Sequence, residues 1–330
     1  MDTLLGVDAG ATKTVALLAD LAGRPLGRGE SGPGNLHSVG EAQAREAVRT
    51  AIAAAFASAG RPQEQAAAMC IGAAGAGRSA EAEAWQAWSL ERGLASRVQV
   101  TSDAELVLAA ALGDREGTCQ ANARCDALAL SALHLTRSQQ SEGVVVIAGT
   151  GSVAFAQCAD GRRTRAGGWG YIVGDEGSAY DIACQALNAV LKAFDGRGPP
   201  TALTPALLAA CGAAQPPDLV GYVYGSGVDR HALARLAVHV SRAADEGDVV
   251  AMAILDRAGD ELAALAAAAA RAAGLEGKVR CGLAGGVLIH APRVRDRLVA
   301  QMAERGLVAE PQVLVEEPAL GAIWIARSLV

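Results

Sequence analysis

Short runs of apolar residues recur along the chain, and most of them end in glycine, proline or polar turn residues. Such runs favour buried strands, whereas the alanine-rich stretches between them, with charges on one side, favour helices. In the first half this pattern predicts strands that alternate with helices. The strands are expected at 3–7, 14–20, 25–31, 67–72 and 98–101, and the helices at 40–59, 79–92 and 104–112.

The second half repeats this order from Gly143 onward, with an irregular helical section between Pro199 and Pro217. Strands are expected at 144–148, 153–158, 162–166, 278–284 and 313–315, and helices at 178–194, 231–245, 249–273, 292–305 and 318–329. A meander of strands followed by strand–helix units implies a mixed sheet with helices on its faces. Both halves are therefore predicted to be α/β.

Composition bounds the class of protein. The 330 residues are enough for two domains, and aromatic residues make up only 3% of a chain that is 51% hydrophobic, so alanine-rich helix packing is favoured. The net charge of −6 and the lack of a basic run argue against nucleic acid as a partner. With no signal-peptide pattern and no bilayer-length apolar run, we expect a cytoplasmic protein without a membrane partner.

The seven cysteines are scattered and include no Cys-x-x-Cys pair. An odd number of dispersed cysteines is typical of reduced, mostly buried thiols. Cys119, Cys125 and His134 form the only loose grouping of zinc-ligand types, and their spacing does not favour a zinc site.

Two glycine- and threonine-containing turns connect strand pairs in equivalent places of the two halves. They are residues 8–14 (DAGATKT), the first turn, and residues 149–152 (GTGS), the second turn. Glycine at a hairpin tip lets the backbone N–H groups approach an anion closely, but it also serves hairpins that simply need a positive φ. The repetition, and Asp8 where a carboxylate could hold magnesium through water, favour a clamp for polyphosphate. Neither turn fits the P-loop pattern.

Asp103 follows the predicted strand 98–101, at a carboxyl end where ligands gather in α/β sheets. It could therefore accept a proton from a bound hydroxyl. A structural explanation stands beside this one, because Ser102 and Glu105 have the spacing of a capping box and an acid suits the first helical turn. The local sequence leaves both open.

Residues 166–179 (AGGWGYIVGDEGSA) combine glycines, a rare tryptophan and two adjacent acids immediately before a helix. Asp175 could accept sugar hydroxyls there. Alternatively, Trp169 could be a packing anchor, and Asp175 and Glu176 could be a charge pair at the helix N-terminus. The length of the string favours a binding function. Two other loops are candidates for ligand contacts, one with Asn35 and one with Gly285 and Gly286 after a strand.

Taken together, these segments resemble the sugar kinase/actin/heat-shock-chaperone ATPase superfamily, and within it the N-acetylglucosamine kinases of the BadF/BadG/BcrA/BcrD-type ATPase family. The resemblance implies two ribonuclease-H-like lobes with a cleft between them. The lobes would be residues 1–113 with the helix 318–330, and residues 143–317, with an inserted loop or linker at 114–142. The resemblance also implies ATP and Mg²⁺ as cofactors and an amino sugar, N-acetylglucosamine or glucosamine, phosphorylated at its 6-hydroxyl. A homodimer is common in the family.

Family roles carry over by position. Asp103 would be the general base, and Asp8 would hold Mg²⁺ through water. The nucleotide would contact Asp8, Gly10, Thr12, Lys13, Gly149, Thr150, Gly151, Gly285 and Gly286. The sugar would contact Asn35, Asp103, Ser152, Gly168, Trp169, Gly170 and Asp175.

Two rival functions share this fold. The first is an ATPase that activates a dehydratase or reductase through an iron-sulfur cluster, which would need cysteines after the second turn, where residues 167–179 have none. The second is a sugar-responsive regulator without catalysis, which usually carries a DNA-binding domain ahead of the first strand. A kinase is the favoured interpretation.

Overall fold

The computed structural model describes residues 2–73, 79–112, 142–225 and 227–330. Contacts divide the chain into two compact units. The first unit is Met1–Ser141 with Val315–Val330, and the second unit is Glu142–Leu314. The segment 114–142, predicted as an insertion, lies outside the described residues except for Glu142.

The first unit contains a five-stranded sheet in the order β3-β2-β1-β4-β5. Its strands β1 and β2 pair antiparallel, as do β2 and β3, whereas β1, β4 and β5 run parallel. The strands are β1 (Thr3–Ala9), β2 (Thr14–Asp20), β3 (Pro25–Ser31), β4 (Ala66–Ala73) and β5 (Ala95–Thr101). The helices are α1 (Leu36–Val39), α2 (Glu41–Ser58), α3 (Ser79–Glu91) and α4 (Asp103–Leu112), joined by α13 (Ala319–Arg327) from the C-terminus.

Apolar side chains cover both faces of the first sheet. One face packs Val48, Ile52 and Phe56 of α2 with Trp85 of α3. On the other face, Leu106 of α4 and Ile323 of α13 belong to one buried apolar cluster. Burial of this apolar area, at about 25 cal/mol per Å², is the main force that fixes the strands and hence the turns at their ends.

The second unit repeats the topology, with a five-stranded sheet in the order β10-β9-β6-β7-β8. The strands are β6 (Gly143–Ala148), β7 (Ser152–Gln157), β8 (Arg163–Gly167), β9 (Gly277–Ala284) and β10 (Leu307–Val315). The helices are α5 (Ala179–Phe194), α6 (Leu203–Cys211), α7 (Asp218–Tyr224), α8 (Arg230–Ala234), α9 (Ala237–Asp245), α10 (Val249–Ala273), α11 (Gly286–His290) and α12 (Pro292–Glu304). Helix α10 contributes twelve buried residues to the core.

Most predicted elements are confirmed within a few residues, and the mixed α/β class is confirmed. Several elements differ from the prediction. The helix predicted at 231–245 is interrupted after Ala234, giving α8 and α9. Strand β10 begins at Leu307 rather than 313, because an edge strand tolerates Pro311 and the exposed polar residues around it. The short helices α1 and α11 were not predicted. None of the described helices is long and apolar enough to cross a membrane.

Candidate functional site

The first turn is a tight connection between β1 and β2. Ala9 pairs with Thr14, and the Gly10 N–H donates to the Lys13 carbonyl at 3.0 Å. A Cβ added to Gly10 would lie 2.8 Å from that carbonyl oxygen, while the φ of Gly10 is not positive. Glycine is therefore required here by close backbone approach, and the explanation by a positive φ is wrong for this position. Thr12 and Lys13 are exposed.

The loop that carries Asn35 is fastened to the first turn. The Gly34 N–H donates to the Gly10 carbonyl at 3.0 Å, and the Thr14 hydroxyl donates to the Gly32 carbonyl at 2.9 Å. Asn35 follows directly and is buried at the start of α1. The structure thus brings this predicted sugar-site residue to the end of β1.

Asp8 is half-buried at the carboxyl end of β1. Burial, and then the negative charges of Asp103 and Glu317, raise its pKa to about 7, against the opposing charge of Lys13. Lys13 itself lies 3.5 Å from Glu30. This end of the first sheet therefore concentrates carboxylates and offers little positive charge to balance them.

Asp103 is the first residue of α4, which follows β5. It lies at the end of the sheet where the parallel strands β1, β4 and β5 have their carboxyl ends. Strand register aligns Asp8 with Gly72 of β4 and Gly72 with Thr101 of β5, two residues before Asp103. The residue is open to solvent, yet surrounding protein atoms desolvate its carboxyl and raise its pKa. A raised pKa suits a group that accepts a proton in catalysis.

The capping explanation for this segment is also confirmed in part. The Ser102 hydroxyl accepts the Glu105 N–H at 3.3 Å, and Asp103 Oδ1 accepts the Ala104 N–H at 2.9 Å. Ser102 thus caps α4, and Asp103 adds a hydrogen bond at the start of the helix. Capping and proton acceptance are compatible at this position.

The second turn joins β6 to β7 and is held from both sides. The Gly149 N–H donates to the Gly151 carbonyl at 2.9 Å, and the Ala179 N–H donates to the Gly149 carbonyl at 2.8 Å. A Cβ on Gly151 would lie 2.8 Å from Asp175 Oδ2, whereas a Cβ on Gly149 would have no protein atom within 4 Å. Neither glycine has a positive φ. Gly149 therefore has no structural requirement for glycine in the protein itself.

Asp175 is folded back onto the second turn. Its Oδ1 accepts the Ser152 N–H at 3.2 Å, and its Oδ2 lies 4.0 Å from Arg230 Nη1. It is 4% exposed and, with a φ of 61°, is the one non-glycine residue with a positive φ in the described part of the chain. Burial raises its pKa, and the Ser152 N–H and Arg230 oppose that shift. Such strain is typical of functional sites.

The glycine-rich string before Asp175 approaches the same turn. The Gly168 N–H donates to the Ser152 carbonyl at 3.0 Å, and Gly168 and Gly170 both have positive φ, so glycine is needed there for conformation. Trp169 between them is 66% exposed, with the Arg165 guanidinium 4.6 Å from its ring centroid. Trp169 is thus not a packing anchor, and that alternative is wrong.

Gly285 lies against the second turn from another side. Its φ is 90°, and a Cβ there would lie 2.4 Å from the Ala148 carbonyl oxygen and 2.9 Å from the Gly149 nitrogen. Gly286 begins α11 and faces open space. The second unit therefore brings both groups of predicted nucleotide-site residues together.

Three residues near these turns were not predicted. His231 Nδ1 lies 3.3 Å from Thr150 Oγ1, Arg230 lies beside Asp175, and Glu317 adds to the charge near Asp8. Each is distant in sequence from its partner and belongs to no recognisable motif. Only tertiary structure reveals them.

Direct metal ligation has little support in the described residues, where no three His, Cys, Asp or Glu side chains form a metal-binding group. The loose grouping of Cys119, Cys125 and His134 lies outside the described residues. The described cysteines are free thiols: Cys70, Cys158, Cys184, Cys211 and Cys281.

Comparison with known proteins shows which proteins the whole chain is similar to. The N-acetylmuramic acid/N-acetylglucosamine kinase of Clostridium acetobutylicum is 30% identical over 329 residues, 99% of each chain. The N-acetyl-D-glucosamine kinase of Dictyostelium discoideum is 27% identical over 98% of each chain. A Chromobacterium violaceum crystal structure, assigned provisionally as an N-acetylglucosamine kinase, has 28% identity and a TM-score of 0.72 over 99% of both chains.

The model of one protein family matches almost the whole chain, residues 5–326. It spans both units and both turns, and the resemblance noted from the sequence motifs is thereby confirmed. The chain belongs to the BadF/BadG/BcrA/BcrD ATPase family.

Proposed function

We propose that the protein is an ATP-dependent kinase that phosphorylates the 6-hydroxyl of an amino sugar. The observation that carries this proposal is the end-to-end similarity to the clostridial N-acetylmuramic acid/N-acetylglucosamine kinase. The substrates are accordingly N-acetylglucosamine, glucosamine or a related sugar such as N-acetylmuramic acid. ATP use follows from the family.

The second unit contributes the larger part of the nucleotide site. Gly149 supports this assignment, because it is a glycine with ordinary φ and open space where its side chain would be. A polyphosphate that approaches the backbone would account for it. Gly151, Thr150, Gly285 and Gly286 complete this part of the site, and Gly10, Thr12 and Lys13 add the contacts of the first turn.

The residues around Asp8 fit a bound Mg²⁺. Burial and the charges of Asp103 and Glu317 raise the pKa of Asp8. A cation bound nearby would stabilise the ionised carboxylate and lower that pKa. Asp8 would hold the ion through water. When bound with ATP, Mg²⁺ neutralises charge on the phosphate oxygens.

Asp103 is the proposed general base. As the 6-hydroxyl oxygen bonds to the γ-phosphorus, its proton passes to the Asp103 carboxylate, and the bond from that phosphorus to the bridging oxygen breaks to release ADP. Asn35 would hold the sugar in the first unit, and Ser152, Gly168, Trp169, Gly170 and Asp175 would hold it in the second. Asp175 Oδ2 accepts no hydrogen bond from the described residues, which leaves it available for a sugar hydroxyl.

A coupled ADP-release assay across amino sugars and hexoses tests the proposal. We expect turnover with an N-acetylated amino sugar to exceed turnover with glucose, and the 6-deoxy analogue to be inert. Phosphorus NMR of the product should show a 6-phosphate. Comparable efficiency with glucose would reduce the protein to a general hexose kinase, and ATP hydrolysis that no sugar stimulates would favour the activator or regulator functions.

A further inference from the structure

His231 is the one side chain outside the predicted site that hydrogen-bonds a side chain of the second turn in the described residues. Its Nδ1 lies 3.3 Å from Thr150 Oγ1, across 81 positions of sequence. Both residues are half-buried. Asp229 caps the start of α8 by accepting the Ala232 N–H at 2.8 Å, which fixes the backbone that carries the imidazole.

Hydrogen-bond polarity decides what Thr150 can do. A threonine hydroxyl has one proton to donate, and phosphate oxygens at neutral pH chiefly accept. If Thr150 donates to an unprotonated Nδ1, it has no proton left for phosphate. If Nδ1–H donates to Thr150 instead, the hydroxyl proton is available for the ligand.

We propose that His231 is a positioning residue for the nucleotide, whose Nδ1–H donates to Thr150 Oγ1 and so turns the hydroxyl proton towards a phosphate oxygen. This inference rests on the proposed role of the second turn. It adds a residue that belongs to none of the predicted motifs. His231 acts through Thr150 and does not itself contact the reacting atoms.

The surroundings of His231 favour the neutral form of its ring. Burial lowers its pKa, and the charges of Arg230 and Arg235 lower it further, against Asp229. In a neutral imidazole only one nitrogen carries the proton, so the tautomer sets the direction of the bond to Thr150. Nucleotide binding would favour the tautomer with the proton on Nδ1.

The test measures ATP binding by calorimetry in the presence of Mg²⁺ and no sugar. His231→Leu should weaken ATP about three- to tenfold, the value of one neutral hydrogen bond, and leave the sugar KM within about twofold. His231→Asn, whose amide can donate from a similar position, should recover most of the affinity. His239→Leu is the matched control, because His239 is half-buried on α9 and has no hydrogen bond to the second turn among the described residues.

A double-mutant cycle with Thr150→Val separates positioning from a general structural effect. Once the hydroxyl is gone, His231→Leu should cause no further loss of ATP affinity. An equal loss in both backgrounds, or unchanged ATP affinity in His231→Leu, would overturn the inference. Imidazole ¹⁵N shifts should also show a protonated Nδ1 on His231 with ATP bound, and an unprotonated Nδ1 would overturn it too.

These measurements do not depend on which sugar is phosphorylated. A protein that binds ATP and shows the predicted cycle, but phosphorylates no amino sugar, would refute the proposed substrate and support the role of His231. A sugar kinase without the coupling would do the reverse.

Discussion

The first and second turns occupy equivalent places in two sheets of the same topology, yet their surroundings have opposite electrostatic character. Around the first turn, burial and the negative charges of Asp103 and Glu317 raise the pKa of Asp8 to about 7. At the second turn, the buried Asp175 receives the Ser152 N–H and has Arg230 nearby. Negative charge therefore predominates around the first turn, whereas a positive charge and a backbone N–H stabilise the carboxylate at the second turn.

This difference indicates that repetition of a motif does not imply repetition of its chemistry. A carboxylate-rich turn suits the cation that accompanies ATP, whereas backbone N–H groups and a guanidinium suit the phosphates. The glycines differ in the same sense. Gly10 is required by the Lys13 carbonyl, while Gly149 faces open space.

The largest expected effect is at Asp103, among the carboxylates near the first turn. Asp103→Asn should lower kcat by roughly two to four orders of magnitude, the usual contribution of a general base, while ATP and sugar still bind. The measurement is steady-state turnover combined with calorimetric binding. Ser102→Ala is the control, because it removes the α4 cap, costs ~1 kcal/mol of stability and should leave kcat nearly intact. Near-normal turnover in Asp103→Asn would leave that residue with capping alone.

Asp8→Asn should have two effects of opposite sign. Loss of the carboxylate should weaken Mg²⁺-dependent ATP binding by about ten- to a hundredfold, as expected for a contact to a charged group worth 1.5–3 kcal/mol. The same change should stabilise the fold at pH 8. A carboxyl whose pKa rises from 3.8 to about 7 binds more protons when folded, so stability falls as pH rises between these values.

The gain in unfolding free energy at pH 8 should be ~1–2 kcal/mol, below the ~4 kcal/mol of the full shift because Asp8 is half-buried. Urea unfolding at pH 4 and pH 8 measures it, and at pH 4 the variant and the parent should nearly coincide. If Asp8→Asn were less stable than the parent at pH 8, the ionised Asp8 carboxylate would make favourable contacts in the folded protein. The predicted cost of ionising Asp8 would then be wrong.

The sequence predicted the two turns and most strands because apolar runs and turn residues are local signals. Strands β2 and β3 have the predicted bounds, since each is followed directly by a glycine-containing turn. Position in the sheet is not a local signal. The strand predicted at 313–315 is therefore too short, because the polar residues in the first part of β10 are tolerated only at a sheet edge. For the same reason, nothing near His231 or Arg230 in the sequence indicates their partners.

The two glycine turns show most clearly what cannot be predicted from the sequence alone. Gly10 and Gly149 look alike in sequence, and both carry an ordinary φ. Only the structure shows that one is crowded by its own turn and the other is not. The general base, the metal and the sugar contacts remain predictions, since they depend on ligands.

Gly149→Ala and Gly10→Ala form a matched pair. Because a methyl group at 149 meets no protein atom, Gly149→Ala should leave the unfolding free energy within ~0.5 kcal/mol, yet weaken ATP about tenfold by blocking phosphate. Gly10→Ala should instead cost ~1–3 kcal/mol, since the methyl group would crowd the Lys13 carbonyl. Thermal unfolding and ATP calorimetry on both variants measure the contrast. Unchanged ATP affinity in Gly149→Ala would remove the main support for a phosphate at the second turn.

The smallest expected effect is at Arg230, where the sign should be opposite to that at Asp8. Arg230 lies 4.0 Å from Asp175 and is 35% exposed, so the pair contributes only ~0.2–1 kcal/mol. Burial already raises the pKa of Asp175, and Arg230 opposes this, so Arg230→Gln should raise that pKa further. The ionised Asp175 then costs more at neutral pH, and the variant should be slightly less stable than the parent at pH 7–8.

The difference should vanish near pH 4 and below, as Asp175 becomes protonated in the folded protein and its ionisation no longer contributes. Urea unfolding across this pH range measures it, with Arg235→Gln as the control, because Arg235 is an exposed arginine at the end of the same helix. Stabilisation by Arg230→Gln at pH 8 would mean that positive charge is in excess at the second turn. It would also mean that Asp175 is not the group that Arg230 serves, and the electrostatic contrast between the two turns would then rest on the first turn alone.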